Sequence, residues 1–463
     1  MTNSFQNKKD YEEDFKDMSR ISAVILAAGQ GTRMKSDLPK VLHRVAGRPM
    51  ILNLLATVDE LKADKAVVVV GPGMDNVAAA VAPHPTAVQT KQQGTGDAVK
   101  AARAELEGFK GSVLVLYGDT PLIKKETLQE MIRRREEGAS VVVLGFRPKD
   151  PARYGRLVTD ESGLKEIVEF KDATEEQRKI TLCNSGVMCI DGEKLFGWLD
   201  RLKNNNAAGE FYLTDVVALA RQDGFFVAVV EGDAEEVAGV NSRTDLAFIE
   251  KIAQKRLREK FMAQGVTLID PETVYFSYDT VLGRDVVIEP SVFFGAGMTV
   301  GNNVEIRAFS HLEGASVHDG AKIGPFARLR PGAEVGEDCH IGNFVEIKNA
   351  SVEKGAKVNH LSYIGDARIG TKTNIGAGTI TCNYDGYFKS RTDIGAGAFI
   401  GSNTALVAPV TVGDGAMVAA GSTVTKNIPA DALAVARGKQ TVFDGWAERF
   451  RAQKHERKSK LSK

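Results

Sequence analysis

GNNVEIRAFSHLEGASVHDGAKIGPFARLRPGAEVGEDCHIGNFVEIK, Gly301 to Lys348, carries an aliphatic residue at nearly every sixth position: Ile306, Leu312, then after a step of five Val317, Ile323, Leu329, Val335, Ile341 and Ile347. Neither an α-helix nor a β-hairpin repeats at six. A period of six is the signature of a parallel β-helix: three hexapeptides make one triangular coil, the aliphatic side chain points inward, and glycines help the chain turn between short strands. The series reaches back through Val300, Phe294 and Ile288 to Leu282, and forward to Val352, Val358 and Ile364. It returns as Ile394, Ile400, Leu406, Val412, Val418 and Val424. Between Ile375 and Ile394 the stretch GAGTITCNYDGYFKSRTD breaks the period and predicts an insertion that loops outward. Pattern alone fits a tolerated loop there as well as a functional one. Glycine follows the same division, with 23 of the 46 lying between Gly283 and Gly438.

The whole chain has 463 residues, which predicts more than one domain. Lys plus Arg and Asp plus Glu are each 60, a balance that argues against a protein built on excess positive charge for nucleic acid. Hydrophobic residues at 43% supply real cores, while no run approaches a membrane span. The first twenty residues lack the apolar stretch of a signal peptide, so the expected compartment is the cytoplasm, with Cys183, Cys189, Cys339 and Cys382 reduced.

Ahead of the repeats, short β-branched runs alternate with helix-length segments: ISAVILAAG from Ile21, KAVVVVG from Lys65 to Gly71, and SVLVLYGD from Ser112 to Asp119. This predicts a parallel sheet with crossover helices, whose ligands bind beyond the carboxyl ends of the strands. LAAGQGTRM, Leu26 to Met34, sits at such an end. Gly29 and Gly31 are expected to turn the backbone tightly and present N–H groups to an anion, with Arg33 and Lys40 adding positive charge. By itself the loop fits a structural turn equally well, and it matches neither a Walker A loop nor GxGxxG.

LAAGQGTRM, Pro39–Lys40, QQGTGDA (Gln92 to Ala98) and YGDTPLI (Tyr117 to Ile123) together resemble the sugar-phosphate nucleotidyltransferases. YGR from Tyr154, IVEFKDAT from Ile167, CNSG from Cys183 and GVN from Gly239 extend the resemblance to the uridylyltransferase branch. It implies a Rossmann-like α/β domain that binds UTP and a sugar-1-phosphate. Arg33 and Lys40 would hold phosphates, Leu26, Ala28, Gly29 and Tyr117 would line the nucleotide site, and Gln89, Gly94 and Thr95 would take the uracil. Gly155, Glu169 and Asn184 would take the sugar, and Asp119 with Asn241 would bind Mg²⁺. The residue types suit the chemistry, because joining two anions needs charge neutralisation and alignment above all.

RLRPGAEVGEDCHIGNFVEIK (Arg328 to Lys348), NHLSYIGDA (Asn359 to Ala367), NIGAGTITCNYDG (Asn374 to Gly386) and VAPVTVG (Val407 to Gly413) resemble the left-handed β-helix acyltransferases. With the front-half motifs in order, the chain resembles the bacterial bifunctional family that joins glucosamine-1-phosphate acetyltransferase to N-acetylglucosamine-1-phosphate uridylyltransferase activity and supplies cell-wall precursors. The resemblance makes His360 the general base toward the sugar ammonium, a task suited to a neutral imidazole. Arg330, Lys348, Tyr363 and Asn374 would bind glucosamine-1-phosphate. Ala377, Asn383, Tyr384, Ser402, Ala420 and Arg437 would bind acetyl-CoA. It also implies a homotrimer through the β-helix. The expected divisions are an extension over 1–20, a uridylyltransferase domain over 21–243, a linker helix over 244–265, the β-helix over 266–440 and a tail over 441–463. From Arg449 that tail is basic, expected as a solvated or inter-subunit arm rather than a nucleic-acid contact. Two rivals stand: a nucleotidyltransferase whose β-helix only assembles subunits, and a scaffold that retains both folds.

Overall fold

The computed structural model describes residues 20–151 and 154–461, so all of the expected N-terminal extension except Arg20 lies outside them. The chain divides into two compact units, Met1–Leu257 and Arg258–Lys463. The boundary falls inside the helix Arg243–Ala263, whose first turns bury Ile249, Ile252 and Ala253 against Met34, Val45, Met50 and Val240. That part of the expected linker is therefore core of the first unit. No helix among the described residues is long and apolar enough to cross a membrane.

In the first unit the β-branched runs form a sheet ordered Val227–Glu231, Val141–Phe146, Cys183–Asp191, Ser112–Tyr117, Ile21–Leu26, Lys65–Val70, Thr86–Val88. Every pairing along it is parallel except those made by Cys183–Asp191. Helices cover both faces, which is why these strands read as unbroken apolar runs rather than alternating ones. The register sets Leu26 beside both Val69 and Tyr117, so the ends of the neighbouring strands finish level and their following loops converge. Gly118 N–H donates to Leu26 C=O at 3.0 Å, tying YGD directly to LAAGQGTRM.

In the second unit short parallel strands, many of two residues, stack coil upon coil. It is a left-handed parallel β-helix. Of the aliphatic series, Ile288 to Val424 are all buried, while Leu282, in the opening coil, is half-buried. The repeat runs further than the period showed. Ile369 and Ile375 are buried, and Thr381 takes the next inward place, its hydroxyl donating to Gly365 C=O at 3.0 Å and accepting from Gly365 N–H at 2.8 Å. A threonine fits there because its hydroxyl is satisfied by the coil below. Only Asn383 to Ser390 leaves the coil, as a hairpin closed by Ser390 N–H donating to Asn383 C=O at 2.9 Å.

Coils turn at three corners on residues in the left-handed region. One corner carries Ser291, Phe309, Phe326, Phe344, Leu361, Gly378, Asn403 and Gly421; a second Asp285, Asn303, Gly320, Asp338, Gly355, Lys372, Gly397, Gly415 and Asp431; a third Gly297, Gly314, Gly332, Asn349 and Asp366. Beyond the last coil the basic tail is a helix, Trp446–Leu461, with no residue buried.

Stacking leaves some positions no room for a side chain. A Cβ on Gly342 would stand 2.0 Å from the carbonyl oxygen of Asn359 in the next coil, a backbone atom that cannot step aside. Gly342→Ala is expected to destabilise the second unit by about 1–3 kcal/mol. A loss of chemical-denaturation stability confined to that unit's transition checks it.

Candidate active sites

The converging strand ends of the first unit enclose a cleft of about 310 Å³ lined by Leu26, Ala28, Gly29, Lys40, Gln89, Gly94, Thr95, Tyr117 and Asp119, together with Gln92 and Glu210. Of the two loop glycines only Gly31 turns in the left-handed region (φ 62°), and its Cβ would lie 2.6 Å from that of Lys40. Gly29 does not make that turn. A Cβ there would meet nothing within 4 Å, so its contribution is open space beside exposed backbone. Gly94 (φ 110°) lets the helix Thr95–Ala101 start against Phe211, whose carbonyl oxygen would be 2.7 Å from an added Cβ. Gln89 donates to Gly94 C=O and to Asp97, both at 2.9 Å, which fixes the amide at the cleft wall.

Arg33 and Asn241 join this cleft from its rim. Arg33 Nη2 donates to Asn241 Oδ1 at 2.9 Å, and Lys40 Nζ donates to the same oxygen at 3.2 Å while pairing with Asp119 Oδ2. One ammonium thus bridges the carboxylate and amide oxygens expected for a metal, standing where a cation is welcome. Hard oxygens of this kind, completed by phosphate and water, suit Mg²⁺. Asn241 is held by the start of the long helix. Asp245 accepts from the N–H groups of Asn241 at 3.0 Å and Ser242 at 2.8 Å, and Ser242 Oγ accepts from Asp245 N–H at 3.2 Å. That Ser-x-x-Asp cap was legible in the sequence but carried no signal of its link to the site.

Gly155, Glu169 and Asn184 also meet. Asn184 N–H donates to Gly155 C=O at 2.9 Å, and a Cβ on Gly155 would lie 3.4 Å from the Glu169 carboxylate. Glu169 lines a second cleft of about 450 Å³ with Asp172, Tyr212, Thr214 and Asp215. Tyr117 feels both clefts: burial first, then Asp119 and Glu169, push its phenol well above the ordinary value.

In the second unit the expected acetyl-transfer residues gather along the first corner. His360 C=O accepts from Gly378 N–H at 3.2 Å, Ala377 C=O from Asn403 N–H at 2.7 Å, Ser402 C=O from Gly421 N–H at 2.8 Å, and Ala420 C=O from Arg437 Nη1 at 2.8 Å. Ala377, Ser402, Ala420 and Arg437 therefore climb the coils in single file above His360. Asn343, one coil below and in register with His360, was missed by the sequence reading. Its Oδ1 lies 2.8 Å from His360 Nδ1, an acceptor that favours the tautomer with the proton on that nitrogen. Only the coil register, seventeen residues apart, reveals the pair.

The remaining expected residues lie on adjoining strands. Tyr363 pairs with Glu346, Lys348 with Gly365 and Asn374 with Lys357, while Arg330 Nη1 donates to Glu346 at 2.7 Å. The nearby Lys389 pushes the Lys348 ammonium below its ordinary value, a pairing of like charges that favours an anion between them. Asn383 and Tyr384 open the outward hairpin, Asn383 buried and Tyr384 exposed.

Residues 23–182 match the MobA-like NTP transferase domain, and residues 314–349 and 391–426 match the bacterial transferase hexapeptide (six repeats). The chain is 61% identical over 444 residues to the bifunctional protein GlmU of Paramagnetospirillum magneticum, covering 96% of this chain and 99% of that one. Identity to the bifunctional protein GlmU of Rhodospirillum rubrum is 60% over 437 residues (94% and 98% covered), and to that of Zymomonas mobilis 53% over 440 residues (94% and 98%).

Burial first, then Asp172 and Asp215, hold the Glu169 carboxyl above its usual range. Its folded pKa thus exceeds the unfolded one, so the cost of ionising it is absent in acid and grows as pH rises through the unfolded value and past the folded one. Glu169→Gln is expected to raise the melting temperature at pH 7, with the gain vanishing below about pH 4. Thermal melts at both pH values check the sign.

Proposed function

The chain belongs to the bifunctional GlmU family, and from that premise we propose how its two centres divide the synthesis of UDP-N-acetylglucosamine, a precursor of peptidoglycan and lipopolysaccharide. The enzyme transfers acetyl from acetyl-CoA to glucosamine-1-phosphate, then uridylyl from UTP to N-acetylglucosamine-1-phosphate, releasing pyrophosphate. One observation carries the division: the residues of each candidate site lie wholly within one compact unit. Uridylyl transfer belongs to residues 21–243 and acetyl transfer to residues 266–440, in the cytoplasm, where both co-substrates are at hand.

In the first unit Gln89, Gly94 and Thr95 seat the uracil, with Leu26, Ala28, Gly29 and Tyr117 around the nucleotide. Gly155, Glu169 and Asn184 orient the sugar so that a phosphate oxygen of the sugar-1-phosphate faces the α-phosphorus. The new P–O bond forms as the bond to the β-phosphate breaks and pyrophosphate leaves. Arg33 and Lys40 take up the negative charge of the phosphates, the interaction that lowers this barrier most. Mg²⁺, held by Asp119 and Asn241, would neutralise further phosphate charge.

In the second unit Arg330, Lys348, Tyr363 and Asn374 hold the sugar phosphate, and Ala377, Asn383, Tyr384, Ser402, Ala420 and Arg437 hold acetyl-CoA. His360 Nε2 removes a proton from the sugar ammonium. The freed amine attacks the thioester carbonyl, a C–N bond replaces the C–S bond, and the thiol of coenzyme A departs. Asn343 keeps the imidazole in the tautomer this requires. A β-helix serving only for assembly has no use for that alignment.

With glucosamine-1-phosphate, acetyl-CoA, UTP and Mg²⁺ supplied together, free thiol and pyrophosphate are read separately. His360→Ala is expected to slow thiol release by about 10²–10⁴-fold, while pyrophosphate release from added N-acetylglucosamine-1-phosphate persists. Asp119→Ala is expected to do the reverse. Unchanged thiol release in His360→Ala would leave the β-helix a mere assembly module.

We propose a homotrimer as the working form. Its support is the apolar run at the first corner, where Phe309, Phe326, Phe344 and Leu361 remain 57%, 45%, 54% and 62% exposed. The phenyl rings stack at 5.0 and 5.1 Å between centroids, a continuous patch of the kind subunits cover. Phe326→Glu combined with Phe344→Glu is expected to reduce the light-scattering mass from three chains to one. A double variant that stays trimeric places the contact elsewhere.

A further inference from the structure

The third corner changes character as it climbs. Lower coils turn there on Gly297, Gly314 and Gly332, but the next two turn on Asn349 (φ 44°) and Asp366 (φ 48°). Asn and Asp tolerate this backbone, as they do at the other corners, but here their side chains also bond from coil to coil. Asn349 Nδ2 donates to Asp366 Oδ1 at 2.5 Å, and Asn383 Nδ2 donates to Asp366 Oδ2. Asn383 is the residue from which the outward hairpin departs. Above it Tyr384 pairs with Lys389, and Asp385 Oδ1 accepts from the N–H groups of Tyr387 at 2.8 Å and Phe388 at 2.6 Å. The tip is thus ordered internally, and its footing on the coil is the amide of Asn383 against Asp366.

Lys348 and Lys389 bring two positive charges to the same place, and both act on Asp366. Burial alone would push the Asp366 carboxyl up, but the bonds from Asn349 and Asn383 and the charges of Lys389 and Lys348 outweigh it and hold the group ionised. Both of its oxygens are already engaged by amides. The carboxylate therefore offsets the repulsion between the lysines without capping either as a closed ion pair.

We propose that Asp366 is a positioning residue of the acetyl-transfer site, fixing the hairpin base through Asn383 and holding Lys348 and Lys389 together to receive the sugar phosphate. This rests on the reading above that Lys348 and Asn383 contact substrates. It adds a residue that acts through them and touches neither substrate itself.

The test uses the full chain with Asp366→Asn, Asp366→Gly, Lys348→Ala, Asn383→Ala and the double variant Asp366→Asn/Asn383→Ala. Asp366→Gly keeps the turn that the lower coils make and removes only the carboxylate. Both Asp366 variants are expected to raise the KM for glucosamine-1-phosphate and for acetyl-CoA about tenfold, the loss typical of a charge-assisted hydrogen bond. Thiol-release kcat should change less than about threefold, the glycine variant should melt no lower than the parent, and pyrophosphate release should be unaffected. The double variant should raise the KM for acetyl-CoA no more than the larger single one. Wild-type KM values in both Asp366 variants, with acetylation lost in Lys348→Ala and Asn383→Ala, would overturn the inference and leave the site reading standing. Additive effects in the double variant, or a kcat loss at unchanged KM, would overturn it as well. Wild-type acetylation in every variant would overturn the site reading and the inference together.

Discussion

Most turns between faces of the β-helix are made by left-handed backbone at its corners, and this constraint bears on where chemistry can sit. Strands mostly of two or three residues leave little freedom along the faces: one side chain fills the prism and its neighbours point outward. Residues one coil apart stand in register on the faces and at the corners alike. His360, Ala377, Ser402 and Ala420 follow one another because each immediately precedes a left-handed residue at the first corner, Leu361, Gly378, Asn403 and Gly421. The same corner changes at His360 from apolar rungs below to small rungs above. The imidazole thus stands where an oligomer surface would end and a binding strip begin.

The first unit works under a different constraint. A parallel sheet buried on both faces offers ligands only the ends of its strands. Because Leu26, Val69 and Tyr117 finish level, loops far apart in sequence share one cleft. Charge then does the rest: the Lys40 ammonium binds Asp119 and Asn241 at once, and Arg33 reaches the same amide. Under the proposed reading these cations rest against the oxygens that would hold a metal and would turn to phosphate when substrate arrives.

Much of this was legible in the sequence, and what was not has specific physical causes. The period of six announced the coils because burial inside a prism admits little but aliphatic side chains. It breaks after Ile375 because Thr381 meets the inward requirement with a satisfied hydroxyl in place of an aliphatic side chain. LAAGQGTRM leads one to expect the same role from both glycines, yet Gly29 and Gly31 differ, one giving space and the other conformation. Asn343 and Asp366 left no trace in the pattern. Their partners lie seventeen residues away, and only the stacking distance between coils turns that interval into a hydrogen bond.

The two scaffolds also suit the shapes of the ligands proposed for them. A nucleoside triphosphate is compact and dense with charge, and a concave meeting of strand ends surrounds it with donors from several loops. Acetyl-CoA is long and reacts at one extremity, so it asks for a track with a reactive group at one end. Coils stack roughly 4.8 Å apart, and four steps from His360 past Ala377, Ser402 and Ala420 to Arg437 span about 19 Å. An extended pantetheine arm is of that order. Along such a track the small corner residues would let the arm lie close, Arg437 would offer a cation toward the phosphate end, and the thioester would reach the imidazole. Regular stacking thereby converts a short sequence repeat into a ruler for its co-substrate.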